Sequence, residues 1–137
     1  LVHLNLEANE IENIDAKAFY GLDNLNYLSL AKNKISSIQF EMINLANLVE
    51  LNLNNNNLFK LLNNSFINLV KLKKLHLGTN RISAIESYSF YGVNNKLNEI
   101  NLASNELAEC SHNQFKNFRN LTNLNLGQNQ FETIDFE

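Results

Sequence analysis

Apolar residues recur along the chain in one pattern, Leu-x-x-Leu-x-Leu-x-x-Asn, repeated six times from end to end. The copies are Leu1-Leu4-Leu6-Asn9, Leu25-Leu28-Leu30-Asn33, Leu48-Leu51-Leu53-Asn56, Leu72-Leu75-Leu77-Asn80, Leu97-Ile100-Leu102-Asn105 and Leu121-Leu124-Leu126-Asn129. Successive Asn residues lie 24, 23, 24, 25 and 24 positions apart. A second apolar set follows each Asn at fixed offsets: Ile11, Ile35, Leu58, Ile82, Leu107 and Phe131, then Ile14, Ile38, Leu61, Ile85, Cys110 and Ile134. Next come Phe19, Met42, Phe66, Phe90 and Phe115, and finally Leu22, Leu45, Leu69, Val93 and Phe118. Five repeats and a partial sixth (1–24, 25–47, 48–71, 72–96, 97–120 and 121–137) account for every residue of a single domain, with one extra residue in the fourth near Asn94-Asn95.

Positions 4 and 6 of each repeat alternate with polar neighbours, the period of a short strand with one buried face. Six such strands stacked in parallel at ~4.8 Å spacing give a sheet roughly 24 Å across. The Asn at position 9 falls where the chain turns inward, and its amide can satisfy backbone groups that the turn leaves unpaired. Asn9, Asn33, Asn56, Asn80, Asn105 and Asn129 are therefore expected to form a structural ladder. Phe19, Phe66, Phe90 and Phe115 are expected to form a second column under the opposite face.

The pattern resembles the leucine-rich repeat family in its 24-residue form, as in Toll-like receptor ectodomains, variable lymphocyte receptors, Slit-type proteins and small proteoglycans, and the resemblance covers the whole chain. A Pro-free sequence cannot supply the Gly-x-Ile-Pro of plant receptor repeats. The resemblance implies an α/β-type solenoid: a right-handed superhelical horseshoe with a parallel sheet on its concave face and irregular or short helical segments on its convex face. Each unit buries its apolar face only against neighbours. With no Cys-rich cap in sequence at either end, the chain reads as an internal piece of a longer ectodomain.

Composition fits this picture. Leu occurs 24 times and Asn 28 times in 137 residues, and the ladder and strand core use much of both. A lone Cys rules out a disulfide within the chain. No signal peptide or apolar stretch of membrane-spanning length is present. The formal charge of −3 and the absence of basic clusters argue against nucleic acid as a partner. Lys71-Leu72-Lys73-Lys74 is interrupted by a core Leu and reads as a solvated strand entry, while Asn54-Asn55-Asn56-Asn57 is in phase with the repeat.

No catalytic site is expected. Cys110 and His112 are close in sequence, but Cys110 occupies a core column and reads as a small buried hydrophobe, while His112 reads as exposed. His3 and His76 lie in other repeats, so no metal set converges, and no Gly-rich phosphate loop exists; no cofactor is expected. Two Asn-x-Ser/Thr sequons, Asn63-Asn64-Ser65 and Asn120-Leu121-Thr122, mark Asn63 and Asn120 as candidate glycosylation sites.

The variable side chains of the inner strands project together, making the concave face the candidate binding surface. Tyr27, Glu50, Lys74 and His76 are its candidate anchors, joined by Asn52, Glu99 and Asn101. Alternatively, Glu50 and Lys74 only pair across adjacent strands as a weak exposed ion pair. Small residues at position 7, Ala31, Gly78, Ala103 and Gly127 among them, are expected to leave room for a partner's side chains. The function read from this is recognition of a protein or glycoconjugate by a secreted or cell-surface glycoprotein. The resemblance implies a receptor with a role in innate immunity; dimerisation is open. A cell-adhesion or matrix protein, an intracellular scaffold, and a targeting arm for a catalytic domain elsewhere stand as alternatives.

Overall fold

The computed structural model describes residues 1–38, 44–109, 112–115 and 117–134. Met42 and Cys110 lie outside the described residues. Six three-residue strands, β1 (His3–Asn5), β2 (Tyr27–Ser29), β3 (Glu50–Asn52), β5 (Lys74–His76), β7 (Glu99–Asn101) and β8 (Asn123–Asn125), form one parallel sheet in chain order. The pairing register follows the repeat: Leu4, Leu28, Leu51, Leu75, Ile100 and Leu124 lie side by side. These are the inward-pointing residues, and the four central ones are buried. Pairing continues past each strand. The N–H of Leu30, Leu53 and Leu77 donates to the carbonyl of Asn52, His76 and Asn101 in the following repeat, each at 2.8 Å.

The core is one continuous stack. Leu25, Leu48, Leu72 and Leu97 line one side, Leu30, Leu53, Leu77 and Leu102 the next, and Ile35, Leu58, Ile82 and Leu107 the turn beyond, all essentially without solvent access. Phe19, Phe66 and Phe90 fill the width behind them. Phe66 and Phe90 stack with ring centres 5.9 Å apart and planes 9° apart, and Phe115 continues the column 6.1 Å beyond Phe90.

Among the described residues the convex face is mostly irregular, one of the two forms expected of it, and short helices do not recur. Among the described residues there is one, α1 (His112–Phe115), of four residues. Elsewhere the chain uses single turns in which an N–H bonds three residues back, as in Leu22 to Phe19, Leu25 to Leu22, Leu48 to Leu45 and Leu69 to Phe66. The reason is one of width: each repeat advances by one strand spacing, ~4.8 Å, whereas packed helices need ~10 Å. Turns and extended chain fit where helices would splay. Two two-residue strands, β4 (Lys60–Leu61) and β6 (Ala84–Ile85), even pair as a second parallel sheet.

The fourth repeat absorbs its extra residue between Val93 and Leu97. There the N–H of Leu97 bonds four residues back, to Val93, at 3.0 Å, and that of Asn94 bonds to Phe90 at 3.0 Å. This turn is one residue longer than its counterparts and carries Asn94 and Asn95.

Candidate functional site

The inward turns after the strands are built around an Asn at position 9 and, in four of the six repeats, a second Asn at position 5. At position 9, Asn56 illustrates the arrangement: its Oδ1 accepts the N–H of Ile35 in the preceding repeat at 3.0 Å. Its Nδ2 donates to the carbonyls of Leu30, Leu53 and Asn54 at 2.9, 3.1 and 3.3 Å. Asn33, Asn80, Asn105 and Asn129 repeat the scheme, accepting from Ile11, Leu58, Ile82 and Leu107. Among the described residues Asn9 Nδ2 donates to the Leu6 and Glu7 carbonyls.

The residue before each ladder Asn is in the left-handed region: Ala8, Lys32, Asn55, Thr79, Ser104 and Gln128 have φ between 54 and 58°. Only Asn55 belongs to a residue type that favours this conformation, so residue identity gave no hint of it. The backbone there is held by the next repeat; the N–H of Thr79, for example, donates to the Ala103 carbonyl at 2.8 Å.

A second Asn column lies at position 5, on the concave strands. Asn5, Asn52, Asn101 and Asn125 each accept, through Oδ1, the N–H two residues on, at 2.9 to 3.1 Å. This is an Asx turn that shapes the strand exit. Two of the proposed contact residues, Asn52 and Asn101, thus have their Oδ1 committed to the fold. The recurrence of Asn at a supposedly variable column was the available signal.

His76 breaks this column. It does not serve Gly78, whose N–H donates instead to Asn54 Oδ1 of the preceding repeat at 2.7 Å. The imidazole turns to Glu50, with Nε2 3.4 Å from Oε1. Lys74 Nζ lies 3.8 Å from the other oxygen of the same carboxylate. The histidine side chain retains 17% exposure, that of Glu50 31% and that of Lys74 47%. Register places Tyr27, Glu50, Lys74 and Glu99 in one row, and Asn52, His76 and Asn101 in the next. The structure therefore brings these residues onto adjacent strands of one face. Tyr27 packs edge-on against His3, ring centres 5.8 Å apart, beside a shallow depression bounded by Val49 and Glu50.

The room expected at position 7 is not there in the middle of the face. Ala31 and Gly78 are buried. A Cβ on Gly78 would come within 3.2 Å of both the Asn54 and Asn101 amides, which occupy the space a partner's side chain was expected to enter.

Of the sequon residues, Asn63 and Asn120 are both exposed. Asn63 Oδ1 accepts the Tyr88 N–H at 2.9 Å, while its own N–H donates to Glu86 Oε2 at 2.8 Å. The Glu86 carboxyl is held below its ordinary pKa by its hydrogen bond from Lys60, 2.8 Å away, and next by that from Asn63. Asn120 Nδ2 donates to the Asn95 carbonyl at 2.6 Å. His112 begins α1. Among the described residues no group of three His, Cys, Asp or Glu could hold a metal ion, and no helix is long and apolar enough to cross a membrane.

Stacked parallel strands with an Asn-laddered turn define a leucine-rich repeat solenoid. The chain belongs to the leucine-rich repeat family, whose model matches residues 1–58 and 70–131. Among curated proteins it is similar to osteomodulin of Bos taurus, 40% identical over 58 residues, which is 42% of this chain and 14% of that protein. Osteomodulin of Rattus norvegicus is 40% identical over 52 residues, 38% of this chain and 12% of that protein. Among solved structures, TLR13 in its complex with ssRNA13 superposes with a TM-score of 0.90 at 30% identity, over 98% of this chain and 19% of that one. The Drosophila Toll–Spatzle complex gives 0.85 at 25% identity, over 93% of this chain and 19% of that one. A leucine-rich repeat protein of Leptospira interrogans gives 0.83 at 28%, over 96% and 32%. The chain therefore spans a third or less of each of these proteins. The exclusion of nucleic acid, drawn from net charge, finds no support beside a neighbour solved with an RNA.

Proposed function

We propose that this chain is a recognition segment of a larger extracellular or cell-surface leucine-rich repeat protein. It binds a protein or glycoconjugate partner through the concave face, with Tyr27, Glu50, Lys74 and His76 as anchors and Asn52, Glu99 and Asn101 around them. The observation that carries this reading is His76. It stands where four repeats use Asn and one uses Ser to serve the N–H two residues on, and Asn54 of another repeat takes over that task. A residue that departs from the structural pattern and instead joins a partly exposed charged cluster is suited to contact something other than its own chain. The neighbours Toll, solved with Spatzle, and TLR13 support a receptor role in innate immunity. The osteomodulin similarity favours a second reading, a matrix or adhesion protein of the same architecture. Sequon glycosylation at Asn63 and Asn120 belongs to either.

The test is binding of the full-length protein to an array of extracellular proteins, glycans and single-stranded RNA. A variant carrying Tyr27→Ala, Glu50→Ala, Lys74→Ala and His76→Ala should lose the parent's signal, while Phe59→Ser on the exposed convex side should keep it. The reverse outcome would overturn the concave-face reading, and an RNA signal lost with the same four residues would overturn the partner class.

A further inference from the structure

We infer that a saccharide-binding cleft lies on the convex side, between the fourth and fifth repeats, separate from and independent of the concave face. The cleft encloses about 830 Å³, within the size of small-molecule sites generally, roughly 300 to 1,000 Å³. It exists where the repeat is irregular. The longer Val93–Leu97 turn brings Asn94 and Asn95 to one wall. On the other, Phe118 stands in the column otherwise held by Leu22, Leu45, Leu69 and Val93, with its ring 5.4 Å from Phe90.

The lining chemistry selects the ligand class. Tyr88 and Tyr91 are 65% and 57% exposed, offering flat apolar faces with polar tips that the core does not require. Asn95, Asn117 and Arg119 are exposed beside them. Among the described residues nothing pairs with the Asn117 amide or the Arg119 guanidinium. Amides and phenols both donate and accept, which matches sugar hydroxyls, themselves donors and acceptors. The C–H face of a pyranose fits against a tyrosine ring. Among the described residues Arg119 is the one charge in the lining, which is too little for a polyanion, and so much amide is poorly suited to an apolar peptide.

Asn120 of the second sequon is also in the lining, its Nδ2 bonded to Asn95 across the cleft. An N-linked sugar there would replace one amide hydrogen and leave the other for that bond. The saccharide can thus come from the chain's own Asn120 or from another molecule, and one probe tests both.

The probe is N,N′-diacetylchitobiose, titrated by saturation-transfer NMR into the full-length protein made in eukaryotic cells, alongside its Thr122→Ala variant, which lacks the sequon. Saturable binding to Thr122→Ala is expected, weakened at least tenfold by adding Tyr91→Ala or Arg119→Gln and unchanged by adding Glu50→Ala. If the sequon-intact parent binds no free probe, its own glycan fills the cleft; if it binds equally, the saccharide comes from elsewhere. No saturation of Thr122→Ala by roughly 50 mM, or binding indifferent to Tyr91 and Arg119, would overturn the inference. Both side chains are exposed, so an unchanged thermal melt separates lost binding from lost folding. Retained Glu50-dependent partner binding separates this failure from failure of the concave-face reading.

Discussion

Replacing Asn56 by Ala removes four hydrogen bonds, but the cost is set by the groups left without a partner. The Leu30 carbonyl keeps the Asn33 amide at 3.0 Å, and the Leu53 carbonyl keeps that of Asn80 at 3.0 Å. The Asn54 carbonyl keeps the Lys32 N–H at 2.9 Å. The orphan is the N–H of Ile35, a fully buried residue whose amide bonds to Asn56 Oδ1. One buried, unsatisfied donor costs about 1 to 3 kcal/mol. Asn57→Ala, one residue on, is the matched control: its Nδ2 makes one long bond, to the Lys34 carbonyl at 3.5 Å, and among the described residues no N–H depends on its side chain. Its effect should stay within about 0.5 kcal/mol. Urea unfolding of both variants with a common slope gives the difference directly. If they unfold alike, the ladder is dispensable and the orphan-donor reasoning fails. Asn56→Asp sharpens the test. It keeps the acceptor for Ile35 but sets an oxygen against three carbonyl oxygens, so the folded state favours the protonated acid and raises its pKa above the unfolded value of about 3.9. Stability of that variant should be fullest below that value and fall as pH rises through the raised folded pKa.

Thr79→Asn should stabilise by about 0.5 to 1 kcal/mol, because a β-branched residue at φ 54° is strained where Asn is tolerated; a lower melting temperature would refute this. Phe66→Ala, at a fully buried ring stacked on Phe90, should cost about 3 to 5 kcal/mol in chemical denaturation, and a loss below ~1 kcal/mol would mean the column is not a unit. Glu86 has its folded pKa lowered by Lys60 and the Asn63 N–H, so its stabilisation is present above the unfolded pKa and lost as pH falls through the folded one. The melting-temperature gap between the parent and Glu86→Gln should therefore be open near neutrality and close on acidification; a gap independent of pH would exclude the carboxylate.

The strand core and the ladder were legible because each is demanded by geometry six times over, so Leu51 and Asn56 are read together with their counterparts in every other repeat. Position 8 was not legible. Its left-handed backbone is imposed by the inward turn and by bonds such as Thr79 N–H to the Ala103 carbonyl, so Ala, Lys, Thr, Ser and Gln all occur there, whatever strain each carries. Position 5 was legible only in part: Asn52 and Asn101 face the concave side, which suggested contact with a ligand, and the sequence did not show that their Oδ1 atoms also close the strand exit. The convex face was read as irregular or short helical chain, and the preponderance of turns was not legible because the repeat pattern does not state the width available, which decides between a helix and a turn.

A repeat fold makes departures from its own pattern informative, since each position has counterparts that show what the backbone needs. Asn at position 5 satisfies an N–H two residues away in four repeats, and Ser29 stands in the second with its Oγ 3.5 Å from the Ala31 N–H. His76 alone hands the task to a different repeat. The extra residue of the Val93–Leu97 turn lies in that same fourth repeat, on the opposite side of the solenoid. Neither departure improves burial: His76 leaves a charged cluster partly solvated, and the long turn opens a cleft beside two exposed tyrosines. Since Leu72, Leu75, Leu77, Ile82 and Val93 of this repeat are fully buried, its irregularities are confined to surfaces where the core imposes nothing. The two proposals rest on these places because the fold does not dictate the residue chosen there.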